Sequence, residues 1–202
     1  MKKTLKSMLA LVMVGILCFT LLSVMPVLAE DAAVTELVII DEEADELAAD
    51  QKFSASISSE VVKFGEKAYK CTTATNGSDY WLFRSASSTG GLSRTLDISS
   101  MVNGGAVRFW IYVEDMATVH NWNGSQVQFG SNGWDKNTFN WGDWHKQIVN
   151  NGWNEIILPF YDNSDVDTTK MTWFFIRTNN TKYATTVYID NVRVTADCVP
   201  EY

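Results

Sequence analysis

From residue 52 onward the apolar positions come in short runs rich in Val, Ile, Phe, Tyr, Trp and Thr, and no long stretch keeps a helical period. The runs predict strands over 52–58, 60–64, 67–74, 80–85, 92–97, 106–114, 125–130, 153–159, 172–178 and 185–194. Between them fall Asn76-Gly77, Asn103-Gly104, Asn123-Gly124, Asn132-Gly133 and Asn151-Gly152. These dipeptides tolerate positive φ, as tight hairpin turns require. Pro159 closes a predicted strand, where its missing N–H does no harm. Many short strands at regular spacing predict an all-β fold, an antiparallel β-sandwich of the jelly-roll kind.

Two strands are apolar on both faces. In one, Val107, Phe109, Ile111 and Val113 alternate with Arg108, Trp110 and Tyr112. In the other, Phe174 and Ile176 alternate with Trp173, Phe175 and Arg177. The first set of each pair is core by period. The second set either lines a groove or is covered by further chain. A different pattern runs through 121–145, where Trp122, Trp134, Trp141 and Trp144 stand among Asn121, Asn123, Asn132, Asn137, Asn140 and His145. A Trp in so polar a setting is either a loop anchor folded onto the sandwich or an exposed platform.

The ends of the chain change the picture in composition. Residues 1–29 read as a secretory signal peptide: Lys2, Lys3 and Lys6, then an apolar run from Leu9 to Val24, then Val27-Leu28-Ala29 as the cleavage site. The competing reading is an uncleaved anchor. Residues 30–50 form an acidic leader with nine carboxylates and no Lys or Arg, and its run Leu37–Ile40 is a candidate first edge strand. Residues 51–202 form the domain. The whole chain carries −8, and removal of a signal with three Lys and no acid leaves −11. Such acidity argues against nucleic acid and against anionic membranes or polymers. A secreted, extracellular monomer with a neutral ligand is expected, and no membrane association after cleavage. Cys71 and Cys198 remain, in an early and a final strand region, and secretion permits a disulfide between them. Two separate thiols are the alternative.

Several motifs, in order, resemble the β-jelly-roll carbohydrate-binding modules of secreted bacterial glycoside hydrolases. They are Gly65-Glu66-Lys67-Ala68-Tyr69-Lys70, Leu96-Asp97-Ile98 leading to Val107–Val113, Gly152-Trp153-Asn154-Glu155 running into Ile156-Ile157-Leu158-Pro159, and Tyr188-Ile189-Asp190-Asn191-Val192-Arg193-Val194. The likeness spans roughly 37–195. It implies a concave sheet or rim loops that bind sugars through aromatic rings. It also implies a structural calcium ion between the first and last strands, with Asp190 as a ligand and Asp41, Glu42 or Glu43 as its acidic partner. The alternative for Asp190 is a carboxylate bonded to backbone at a turn or bulge.

A pyranose offers a C–H face that sheds water against a flat ring, and hydroxyls that need donors and acceptors. On that chemistry the candidate stacking residues are Trp122, Trp134, Trp141 and Trp144, extended by Trp110 and Tyr112. The candidate hydroxyl partners are Asn123, Asn132, Asp135, Gln128 and His145. The expected function is a non-catalytic, secreted protein that binds a neutral polysaccharide. Two alternatives stand. A lyase or glycosidase on the same fold would need a catalytic pair. Asp162, Asp165 and Asp167 cluster only in a turn, and no nucleophile motif accompanies His120 or His145. A surface adhesin would use the same aromatic face on a protein. No sorting motif or second domain follows residue 195.

Overall fold

The computed structural model describes residues 35–44, 55–73, 80–84, 91–131, 137–179 and 182–200, with backbone only at 80–84 and Asn179. The expected signal segment lies outside them. The described residues belong to one compact unit, Val34–Tyr202. No helix among them is long and apolar enough to cross a membrane.

The strands are β1 (Glu36–Ile40), β2 (Ala55–Ser58), β3 (Ala68–Thr73), β4 (Tyr80–Arg84), β5 (Gly91–Leu96), β6 (Ala106–Val113), β7 (Asn123–Gly130), β8 (Thr138–Gly142), β9 (Gly152–Pro159), β10 (Met171–Asn179) and β11 (Thr185–Thr195). A one-turn helix α1 (Met116–Val119), capped by Asp115, precedes β7. A 3-10 turn spans Trp144–Gln147.

Two antiparallel sheets form a sandwich, as the alternation predicts. The six-stranded sheet runs β2-β3-β11-β6-β9, with β1 beside β3 on the same edge of β11. The five-stranded sheet runs β4-β10-β7-β8, with β5 also on β10. Between them lie Tyr69, Val107, Phe109, Ile111, Val127, Phe129, Phe139, Ile156, Phe174, Ile176, Val187 and Ile189. In β11 the alternation resets between Asp190 and Arg193. Asn191 adopts φ 53° there, a left-handed conformation that Asn tolerates, and forms a bulge. The bulge returns Val192 and Val194 to the core and leaves Asp190 and Arg193 on the outer side.

Several expectations change. Residues 60–64 are not a strand. The amides of Lys63 and Phe64 donate instead to the Asp190 carboxylate, at 2.7 and 3.2 Å, so this segment is a strap across the six-stranded sheet. β8 falls where the sequence reads as a polar loop. Phe139 and Trp141 turn toward the core side, and Asn140 turns outward. Asn103-Gly104 and Asn151-Gly152 serve connections between the two sheets rather than tight hairpins, with positive φ at both glycines. Asn76-Gly77 and Asn132-Gly133 lie outside the described residues. Cys71 and Cys198 are free thiols. Cys71 pairs with Val187 at one end of β11, while Cys198 follows Thr195 at the other. The eight-residue separation along β11 corresponds to about 26 Å at ~3.3 Å per residue, far beyond disulfide reach.

Candidate functional site

The tryptophans of 121–145 do not form one platform. Trp122 and Trp144 are buried, at 4% and 1% exposure. Their rings meet edge to face at 5.8 Å, and Trp144 meets the core Phe109 at 5.5 Å. The indole N–H of Trp144 points to the Arg177 carbonyl at 3.4 Å. The polar residues around them shape the chain so that both rings fold inward. Asn121 Nδ2 donates to the Ala117 carbonyl, and Asp143 adopts φ 55° to open the 3-10 turn. His145 is buried as well, with Nδ1 2.5 Å from Ser125 Oγ, and burial holds its pKa below the ordinary value. These three residues seal one region of the core, where the Trp122 Nε1–H is buried without an acceptor. Asn123 is exposed at the start of β7. Asn132, Trp134 and Asp135 lie outside the described residues.

Trp141 is an edge anchor. Among the described strands β8 pairs only with β7, so its other side presents backbone groups outside the ladder. The segment after β9 covers them. Asn140 N–H donates to Tyr161 Oη at 2.8 Å, Asn163 Nδ2 donates to the Thr138 carbonyl at 2.9 Å, and Trp141 Nε1 donates to the Pro159 carbonyl at 2.8 Å. Phe139, Trp141, Phe160 and Tyr161 pack together there, with centroids 4.9–6.1 Å apart.

Trp110 and Tyr112 lie on the outer face of the six-stranded sheet, half-buried, with Trp153 and Tyr188. The strap covers part of this face. The Lys63 ammonium sits 4.3 Å over the Trp110 ring and Phe64 meets the same ring edge-on. Glu60 accepts from Lys70 Nζ at 2.6 Å and from Tyr188 Oη at 2.8 Å, and these bonds hold its carboxyl below the usual range. At the other end Arg108 is buried and bonded to Thr195, Glu155, Asp197 and the Val199 carbonyl. This clasp fixes the C-terminal segment against the sheet.

The outer face of the five-stranded sheet is different. Trp173, Phe175 and Arg177 stand on β10, with Gln126 and Gln128 beside them on β7 and Asn140 on β8. Trp173 and Phe175 meet edge-on at 6.1 Å, and Arg177 lies over Phe175 at 5.9 Å. The side-chain carbonyl oxygens of Gln126 and Gln128 are buried and accept no hydrogen bond. A buried acceptor without a donor costs ~1–3 kcal/mol, so two on adjacent residues of one face mark a place where donors from outside belong. Of this set the sequence pointed to Gln128 as a hydroxyl partner. The sequence signal for the rest was the β10 alternation, whose outward members are as aromatic as its inward ones.

For calcium, the acidic leader divides. Asp41 Oδ1 accepts from the amides of Glu43 and Ala44 in a local turn. Glu43 Oε1 accepts from the amides of Glu66 and Lys67 at 2.6 and 2.9 Å and closes the Gly65 turn. Both are committed to backbone, which leaves Glu42 beside Asp190. Glu42 accepts from Asn191 N–H at 3.0 Å, and its carboxyl is pushed up to about 8, first by burial and then by Asp190. Asp190 Oδ2 holds the strap, Oδ1 is buried and receives no N–H, and the Glu42 carboxyl lies within hydrogen-bond reach of the Asp190 carboxyl. Two buried carboxylates with an open oxygen fit a hard divalent cation. Among the described residues no group of three or more His, Cys, Asp or Glu side chains converges, so most of a calcium shell would come from carbonyl oxygens or water.

No family model matches the chain, and no curated protein matches it in sequence. Solved structures share its fold. One family 30 carbohydrate-binding module superposes with a TM-score of 0.55 at 12% identity, over 84% of this chain and 92% of that one. The family 30 module of a cellulosomal cellulase of Clostridium thermocellum gives 0.50 at 15% identity, over 74% and 86%. An exo-β-agarase gives 0.50 at 14% identity, over 81% of this chain and 26% of that enzyme. The fold is therefore the β-sandwich of these modules.

Proposed function

We propose that this chain is a secreted, non-catalytic protein that binds a neutral polysaccharide on the outer face of its five-stranded sheet. The carrying observation is the pair of buried, donor-free oxygens on Gln126 and Gln128 beside Trp173 and Phe175. Sugar hydroxyls are donors of the right kind for those oxygens, and Arg177 and Asn140 supply donors for hydroxyl and ring oxygens. Trp173 and Phe175, at 3% and 0% exposure, back this face as a buried apolar layer that keeps the two oxygens dry, so a sugar meets the polar groups rather than the ring faces. On the neighbouring β4, Trp81 pairs in backbone register with Arg177. The net charge of −8 disfavours anionic polymers. The shared fold with carbohydrate-binding modules supports the reading.

A calcium ion held by Glu42 and Asp190 completes the proposal. Its chemistry is to neutralise Asp190 and a Glu42 carboxylate whose ionisation burial opposes, and so to fix β1 and the strap against β11.

Titration of soluble β-glucan, xylan, mannan and starch against intrinsic Trp fluorescence tests the binding. At least one polymer is expected to give a saturable change, without release of reducing ends or unsaturated products. Gln128→Leu is expected to weaken that binding tenfold or more. Silence towards all four polymers, or full-strength binding by Gln128→Leu, would overturn the assignment.

A further inference from the structure

We propose a second saccharide site on the same chain, in a cleft at the side of the sandwich next to β8. It extends the reading above, since it takes the ligand class to be a neutral sugar, but it rests on a separate set of residues. The cleft has a volume of about 480 Å³, within the ~300–1,000 Å³ of small-ligand sites. One wall is Val102–Gly104, the approach to β6. The other is the segment that follows β9, with Phe160, Tyr161, Asp162 and Ser164.

The aromatic wall is preorganised. Tyr161 is 45% exposed, yet its hydroxyl is held by the Asn140 backbone and its ring by Phe139 and Trp141. A ring fixed by its far edge and open on its side is a stacking surface that loses little entropy on binding. Polar groups converge beside it from Asn103, Asp162, Ser164 and Thr168. Among the described residues no Lys, Arg or His lines the cleft, and Asp162 adds a negative charge. That combination disfavours anions and leaves apolar ligands with unpaired polar neighbours. It suits a polyhydroxylated, uncharged ring. The limited size selects a short or terminal saccharide segment. β8 lies between the two sites: the Asn140 backbone anchors Tyr161 at the cleft, and Asn140 itself is on the sheet face. A polymer bound on the face and a chain end in the cleft would flank one strand, which makes the protein bivalent.

Calorimetry with the hexasaccharides of β-1,4-linked glucose, mannose and xylose separates the sites. Ser164→Trp fills the cleft from an exposed position and removes no packing, so it avoids the ambiguity of Tyr161→Ala, which also releases the β8 edge. The wild type is expected to give a biphasic isotherm with at least one hexasaccharide. Ser164→Trp should abolish one phase, and Gln128→Leu the other. A single phase that Gln128→Leu removes and Ser164→Trp leaves intact would overturn the cleft site while the face stands. A single phase with the opposite sensitivities would overturn the face and keep the cleft. No heat from any hexasaccharide would overturn the cleft site, and the polymer titration then judges the face alone.

Discussion

On the six-stranded sheet, buried Arg108 makes five hydrogen bonds, to Thr195, Glu155, Asp197 and the Val199 carbonyl, and Glu60 ties Lys70 to Tyr188. On the five-stranded sheet, Gln126 and Gln128 hold buried oxygens that accept nothing. Both faces carry aromatic side chains, so aromatic content does not distinguish them. The six-stranded face answers most of its polar groups from within the chain, through the strap and the C-terminal segment, with Trp110 Nε1 and Asp190 Oδ1 as exceptions. The five-stranded face does not. A surface that already satisfies itself has little to gain from a ligand, whereas one that keeps acceptors dry without donors gains as soon as donors arrive.

This contrast can be broken most forcefully at Arg108. Arg108→Ala removes the nearer of the two cations on buried Glu155 and leaves Arg193 at 3.9 Å, and a loss of ~3 kcal/mol is expected in chemical denaturation. Polysaccharide binding by the folded fraction should be unchanged. A stability loss below ~1 kcal/mol would show that the six-stranded face is not held together as described. Trp144→Ala marks the core limit. It removes a ring at 1% exposure and should also cost ~3–5 kcal/mol, with any loss of binding tracking the unfolded fraction. Selective loss of binding in a stable Trp144→Ala protein would return that residue to the site.

Gln128→Leu should behave in the opposite sense. It replaces an amide whose buried oxygen accepts nothing with an apolar group of similar length, so stability should hold or rise. Binding should fall tenfold, which is ~1.4 kcal/mol. A destabilised Gln128→Leu would mean that the amide serves the fold and would erase the difference between the faces.

The pH response sharpens the same contrast. The folded Glu42 carboxyl sits at about 8 against an ordinary 4.5. A raised acid contributes stability that is complete below 4.5 and is lost as pH climbs to about 8. In chelator the thermal midpoint should therefore fall across that window, and added calcium should reverse the fall by engaging the ionised pair. A midpoint that is flat from pH 4.5 to 8 in chelator, or indifferent to calcium, would count against this account. The smallest effect is expected from His145. Its folded pKa lies below the ordinary 6.5, so its contribution is complete above 6.5 and is lost as pH drops below it. His145→Gln should remove that component of acid destabilisation.

The all-β class and most strand positions were legible in the sequence because alternation is a local property. Val107, Phe109, Ile111 and Val113 recur at the sheet period whatever they pack against. β8 was not legible, because an edge strand of Thr, Asn and Gly persists through Tyr161 and Asn163, which lie far along the chain. The burial of two candidate site residues was not legible for the same reason. Trp122 and Trp144 stand in polar surroundings along the chain, but Phe109 and the Arg177 carbonyl receive them in space. The Asp190-Asn191 pair could be seen to matter from sequence alone. That it makes a bulge, and that Glu42 and not Glu43 comes beside it, was settled only when β1 met β11. The sequence alone determined which residues alternate and how much charge the surface must carry. Only the tertiary structure decided which polar groups find partners, because satisfaction of a buried group depends on atoms brought from more than a hundred residues away.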